Sequence, residues 1–120
     1  MKDNKWIEEY AQKKKGAVID YKPEWEALRF LLLGKMFGML GAHKDGRPLL
    51  SVKLEPANGE MLRQQYKDII IPGYYLNKTH WNSIYLDVEM PRDLIEKMID
   101  ESYRLIFKSL TKKQQAEIEG

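Results

Sequence analysis

The residues from Gly73 to Asp87, GYYLNKTHWNSIYLD, hold most of the groups in this chain that could do chemistry. Lys78 is a mobile cation with three donors, and Asn77, Thr79 and Asn82 both donate and accept. Tyr74, Tyr75, His80 and Trp81 offer flat faces. A cation beside flat rings is the chemistry of single-stranded nucleic-acid binding, and it suits other planar anions equally well. Tyr75, Asn77, Lys78, His80 and Trp81 are therefore the candidate ligand-binding residues. A packing alternative stays open for two of them: Trp81 as a plug between sheet and helix, and Asn77 as a backbone turn. An enzymatic reading would make His80 an acid or base and Lys78 an anion stabiliser. No carboxylate stands at a telling spacing from them, so the chain is expected to be non-enzymatic, with no catalytic residues.

A second group of candidates is cationic. Between Leu28 and Leu54 the chain carries Arg29, Lys35, Lys44, Arg47 and Lys53 against Asp45 alone. Clustered cations release counterions from a phosphate backbone, so these five and Lys78 are the candidate nucleic-acid contacts. The alternative is an ordinary solvated face of a sheet. The whole chain gives no such bias: 20 basic and 18 acidic residues leave a net charge of +2. From Pro91 onward six acids alternate with six bases, which is not the composition of a recognition helix. If bases are read at all, a hairpin is the better reader.

Other chemistry is absent. There is no cysteine, hence no disulfide or thiolate, which fits a reducing compartment. Two histidines without cysteine make a poor zinc set, so no metal is expected, and no cofactor. Gly34, Gly38 and Gly41 open no helix and form no dinucleotide fingerprint; they suit a curved sheet or a close backbone approach. Ser102 lies mid-helix without a nucleophile motif. The opening MKDNKWIEEY lacks the apolar stretch of a secretory signal, and the longest apolar run, Phe30 to Leu33, cannot span a bilayer. A cytoplasmic protein with no membrane association is expected.

The elements that must position these groups follow from periodicity. A chain of 120 residues supports one domain, taken here as 1–120. Asn4 to Lys15 reads as a helix with Trp6, Ile7, Tyr10 and Ala11 on one face, capped by Asp3 or Asn4 and stopped by Gly16. Residues 17–26 read as an irregular connection around Pro23. Leu28–Leu33, Met36–Ala42 and Leu49–Leu54 read as strands of an antiparallel meander. Its turns fall at Gly34-Lys35 and at Asp45-Gly46, where both residues can take positive φ. Pro56–Tyr66 reads as a helix burying Met61, Leu62, Gln65 and Tyr66. Ile69–Ile71 is a weak strand and Ser83–Val88 a clear one. Pro91 opens a long helix to about Ser109, with a stripe of Leu94, Ile95, Met98, Ile99, Tyr103, Ile106 and Leu110. Thr111 to Gln114 has capping-box spacing for a terminal helix. The fold class is α+β, an antiparallel sheet in two layers with helices.

The stretches GKMFGML (34–40), RPLLSVKL (47–54), LRQQY (62–66) and YLNKTHWNSIYLD (75–87), with MP (90–91) and ESYRL (101–105), resemble the MmcQ/YjbR-like family of small bacterial proteins. The resemblance implies an α-β3-α-β2-α fold similar to that of type III secretion chaperones. It also implies a DNA-binding label, with hairpins touching DNA, and it carries over no catalytic residues. By the chaperone analogy the alternative partner is a peptide, another protein or a planar small molecule.

Overall fold

The computed structural model describes residues 4–120. Ten elements follow in order: α1 (Lys5–Gln12), β1 (Ala17–Lys22), β2 (Ala27–Leu32), β3 (Lys35–Ala42), β4 (Pro48–Lys53), α2 (Pro56–Gln65), β5 (Ile70–Pro72), β6 (Trp81–Tyr85), α3 (Arg92–Ser109) and α4 (Lys112–Glu119). All six strands join one antiparallel sheet in the order β1-β2-β3-β4-β6-β5. The helices pack on one face, so the α+β two-layer expectation holds. The core lies between them and is built on Ile7, Phe30, Phe37, Leu50, Val52, Ile84 and Ile99, all fully buried. The opposite face carries no helix.

The first strand was not expected. Residues 17–22 pair with β2 along their whole length, so the meander has four strands rather than three. As an edge strand, β1 is partly exposed on both faces, with Val18 and Tyr21 over half exposed. It therefore lacks the one-sided alternation that marks a strand in sequence. Pro23 ends it in a tight turn closed by Trp25 N–H to the Lys22 carbonyl. At the other end α1 stops at Gln12 rather than Lys15, and the Asn4 side chain makes no cap. Asp3 lies outside the described residues. Gly16 does take the left-handed conformation, at φ 79°.

Both hairpin turns differ from expectation. The β2–β3 turn is Leu33-Gly34, with φ of 48° and 82°, and Lys35 already begins the strand. These angles are those of a type I′ turn. The β3–β4 loop has a positive φ only at Gly46, and His43 N–H bonds the Arg47 carbonyl across it. Asp45 stays in ordinary space because the loop has three residues, the form that ends in a left-handed glycine.

Two close approaches shape the sheet. Phe37 is an extra residue on β3, a bulge opposite Phe30 and Leu31. Gly38, next to it, lies against the Phe30 ring, where an added methyl would sit 2.4 Å from Cδ2. The bulge also frees backbone groups. Beyond the Gly38–Val52 pair the next residues in register are Phe37 and Lys53. Between them sits the fully buried Ser102 of α3, whose hydroxyl donates to the Phe37 carbonyl (2.6 Å) and accepts from Lys53 N–H (2.8 Å).

In the α3 stripe Ile95, Met98, Ile99, Ile106 and Leu110 are buried and Leu94 and Tyr103 partly so, and α4 begins with the full capping box of Thr111 and Gln114. α2 is different. Gly59 and Leu62 face inward, while Met61 is 54% exposed and Gln65 is exposed too. The helix is rotated so that Gly59 meets Asn82 of β6.

Candidate functional site

The candidate cations do not form one patch. Arg29 lies opposite Asp20 of β1 and clasps it with two hydrogen bonds, Nε to Oδ1 at 2.9 Å and Nη2 to Oδ2 at 2.6 Å. Arg47 clasps Asp87 in the same bidentate way, and its guanidinium stacks 3.5 Å from the centre of the Tyr85 ring. Lys35 turns to the helix side and reaches the carbonyl and hydroxyl of Ser109. Lys44 sits at the tip of the β3–β4 hairpin, whereas Lys53 and Lys78 belong to the other end of β4, roughly 17 Å away for a six-residue strand. The local surplus in the sequence is thus spread over both faces and both ends, and its two arginines are neutralised by carboxylates. Sequence could not show this, because Asp20 and Asp87 lie outside the window that carries the cations.

The NKTHW segment is a self-bonded turn. The Asn77 side chain accepts from the N–H of Thr79 (2.9 Å) and of His80 (3.4 Å), and its carbonyl accepts from Trp81 N–H. Lys78 folds back on the Gly73 carbonyl at 2.7 Å. His80 uses its own carbonyl to hold Leu54 N–H. Asn77 is therefore the backbone turn that its residue type allows, and Lys78 is tied into the same loop. Trp81 is half-buried and, sharing strand parity with Ser83 and Tyr85, lies on the helix-free face. It does not plug sheet to helix. That role falls to its neighbour Asn82, which is buried at the α2 contact and hydrogen-bonded to Arg63.

Of the candidates Tyr75, Asn77, Lys78, His80 and Trp81, Tyr75 lines a cleft that the other four do not. An open cleft of about 720 Å³ lies on the helix-free face, between the β1–β2 turn and the β5–β6 connection. Trp25 forms one wall and Tyr74 and Tyr75 the other, with His43 and Lys44 along the rim. Its floor is Ala27, Met39, Gly41 and Ala42. Ala27 and Gly41 are side by side on β2 and β3, so close that a methyl on Gly41 would touch Ala27 Cβ at 3.2 Å. Met39 apart, this stretch of sheet is bare of large side chains, which leaves a shallow slot.

The Tyr74–Tyr75 wall is a run of rings in tilted contact. His43 and Tyr74 are 4.5 Å apart between centroids, Tyr74 and Tyr75 another 4.5 Å, and His43 continues to Tyr85 at 6.0 Å. The Tyr74 hydroxyl accepts from Lys44 N–H, and its own N–H donates to Ser83, whose hydroxyl pairs with Ser51. Burial is the main cause that raises the Tyr74 phenol above its ordinary pKa. Tyr75 itself is 85% exposed and Trp25 51%. Both walls involve uncommon backbone, with φ of 50° at Glu26 and 59° at Tyr75. The sequence signal for the first wall was KPEWE (22–26), a tryptophan in a turn with no strand or helix to explain it.

The Asp20–Arg29 pair gives a direct electrostatic test. Its hydrogen bonds to Arg29 hold the Asp20 carboxyl below the usual carboxylate range. A depressed folded pKa means the pair's contribution is present above the unfolded value and fades as pH falls through the folded one. In a carbonyl-carbon NMR titration Asp20 is expected to protonate below an ordinary aspartate, and Arg29→Gln to bring it back up. An unshifted Asp20 in the parent protein would contradict the clasp.

Among the described residues no three histidine, aspartate or glutamate side chains gather as a metal cluster. No helix among them is long and apolar enough to cross a membrane.

Comparison with known proteins places this architecture. The YjbR family model matches residues 12–105. The uncharacterised protein YjbR of Escherichia coli K12 is 34% identical over 96 residues, 80% of each chain. The uncharacterised protein YyaQ of Bacillus subtilis is 30% identical over 112 residues, covering 82% of this chain and 93% of its own. The crystal structure of Deinococcus radiodurans DR2400, a DUF419 domain, superposes with a TM-score of 0.83 at 30% identity, over 94% of this chain and 85% of that one. A Pseudomonas syringae protein superposes at 0.70 with 25% identity, over 87% and 98%. With most of its length matched and its sheet and helices shared, this chain belongs to the YjbR family.

Proposed function

We propose that this chain is a non-enzymatic binding module that holds a flat aromatic group in the cleft between Trp25 and Tyr75. One observation carries the reading: two large rings stand exposed on either side of a floor of small residues and Met39, and the backbone at Glu26 and Tyr75 is held at positive φ. Exposed rings on strained backbone are unfavourable for folding alone, and such strain concentrates at ligand clamps. The cleft volume lies within the range of small-molecule pockets.

Tyr75→Gly separates this reading from a structural role. Glycine suits the left-handed conformation, so stability is expected to stay level or rise by up to about 1 kcal/mol. Affinity for planar aromatic compounds, measured by calorimetry, is expected to fall about tenfold as one stacking face is lost. Failure of the parent to bind any planar compound, or equal binding by the variant, would defeat the proposal.

DNA is the second reading. What favours it is that Lys44 and Lys53 make no ion pair among the described residues, while exposed rings stand near Lys44 to take an unpaired base. The clasped arginines weigh against contact with duplex phosphates. Fluorescence anisotropy with single-stranded and duplex DNA at two salt concentrations tests it. Single-strand binding that weakens with salt and with Tyr75→Gly would support this reading. No binding at low salt would remove it.

A further inference from the structure

Several rings of this protein, one cleft wall included, are covered by its own cations. Lys14 lies over Tyr10 and Tyr103, Arg92 over Trp6, and Arg47 over Tyr85. Lys22 and Arg29 both lie over Trp25. Among the described residues no cation covers Tyr74 or Tyr75, although Tyr75 is the most exposed large apolar side chain. Tyr21, Tyr66 and Trp81 have no cation over them either, but of these uncovered rings only Tyr74 and Tyr75 line the cleft.

The charges around the cleft point the same way. Its lining carries Glu24 and Glu26 against Lys44, a surplus of one carboxylate. Lys22 is answered by Glu24 and Arg29 by Asp20. Glu26, in the lining itself, makes no ion pair among the described residues. A cation over a ring face is attracted to the ring's quadrupole, and a nearby carboxylate adds to that attraction.

We infer that the cleft selects a cationic planar heteroaromatic ring, seated on the open face of Tyr75 with its charge turned toward Glu26. The inference rests on the cleft being a binding site, and adds the class of guest that it takes. It also sets the guest apart from nucleic acid, whose charge has the opposite sign.

Three acridines of one ring size test it at mildly alkaline pH: 9-aminoacridine, which is cationic; acridine, which is neutral; and acridine-9-carboxylate, which is anionic. Affinities are measured by isothermal titration calorimetry on the full chain. The cation is expected to bind about fivefold more tightly than the neutral ring, and the anion more weakly than either. Glu26→Gln is expected to cut the cation's advantage about threefold and Lys44→Gln to enlarge it, each with the neutral ring as internal control. Circular dichroism confirms that both variants are folded. Equal binding of all three acridines would overturn the charge selection and leave the binding module standing. Tightest binding by the anion would overturn it in favour of the nucleic-acid reading. No binding by any of the three would take down both the selection and the cleft as an aromatic site.

Discussion

Gly38→Ala is expected to destabilise the fold by about 3 kcal/mol or more, at the top of the range for overpacked cores. The new methyl would lie 2.4 Å from Cδ2, 3.1 Å from Cε2 and 3.2 Å from Cγ of Phe30. It therefore meets the flat of a ring rather than a loose chain end. That ring cannot swing away, because Phe30 is fully buried and packs on Phe37, with centroids 5.9 Å apart. Gly38 does not have positive φ, so no backbone strain enters and the effect is one of space alone. A double-mutant cycle isolates it. Phe30→Ala alone is expected to cost about 3–5 kcal/mol. In that background Gly38→Ala should add little, because the methyl enters the space the ring has left. Urea unfolding of the four proteins measures the coupling. Additive losses would show that Gly38 is needed for some reason other than the ring.

Ser102→Ala is expected to cost about 2–4 kcal/mol, unusual for removal of one oxygen. The hydroxyl stands between Phe37 and Lys53, where the bulge has parted β3 from β4, and it serves one carbonyl and one N–H. Without it both groups lose their partner, and the Phe37 carbonyl loses it in a buried setting. Native-state hydrogen exchange gives a local readout: the Lys53 amide should lose protection before its strand neighbours do. A loss under about 0.5 kcal/mol with Lys53 still protected would mean that the strands close the gap directly. In sequence this residue invites a search for a catalytic partner; in the fold it replaces a missing rung of the ladder.

Much of the scaffold was legible because its signals are local. The α3 stripe, the Thr111 box and the strands β2 to β4 follow from periodicity and capping. β1 was hidden because an edge strand exposes part of both faces. The β2–β3 turn slipped by a residue because Leu33 adopts a positive φ that composition assigns to glycine. The inward side of α2 was misjudged because Gly59, with no side chain to count as apolar, decides how closely the helix meets Asn82. The site was less legible. The predicted cations are adjacent in sequence, but pairing across β1–β2 and to Asp87 decides which remain available. Asn77 was readable as a turn, whereas Trp81 was assigned to the wrong face. Tyr75 and Lys44 were named and do line the cleft. Tyr74 was noted for its flat face but not made a candidate, nor were Trp25 and His43, since only the register of four strands brings residues 24–27, 39–46 and 74–76 together.

That last assembly has a thermodynamic consequence. Residues 24–27 reach the other two segments through the sheet, while 39–46 and 74–76 also meet directly, Lys44 N–H on the Tyr74 hydroxyl and His43 against the Tyr74 ring. An occupant touching all three would lock these segments in place at once. By mass action it would raise the melting temperature with its concentration, by about 2.7 kcal/mol of added stability at a hundredfold excess over the dissociation constant. Thermal shift against a compound collection would then find the natural guest without any assay of activity, and amide protection gained jointly at Trp25, Lys44 and Tyr75 would mark where it sits.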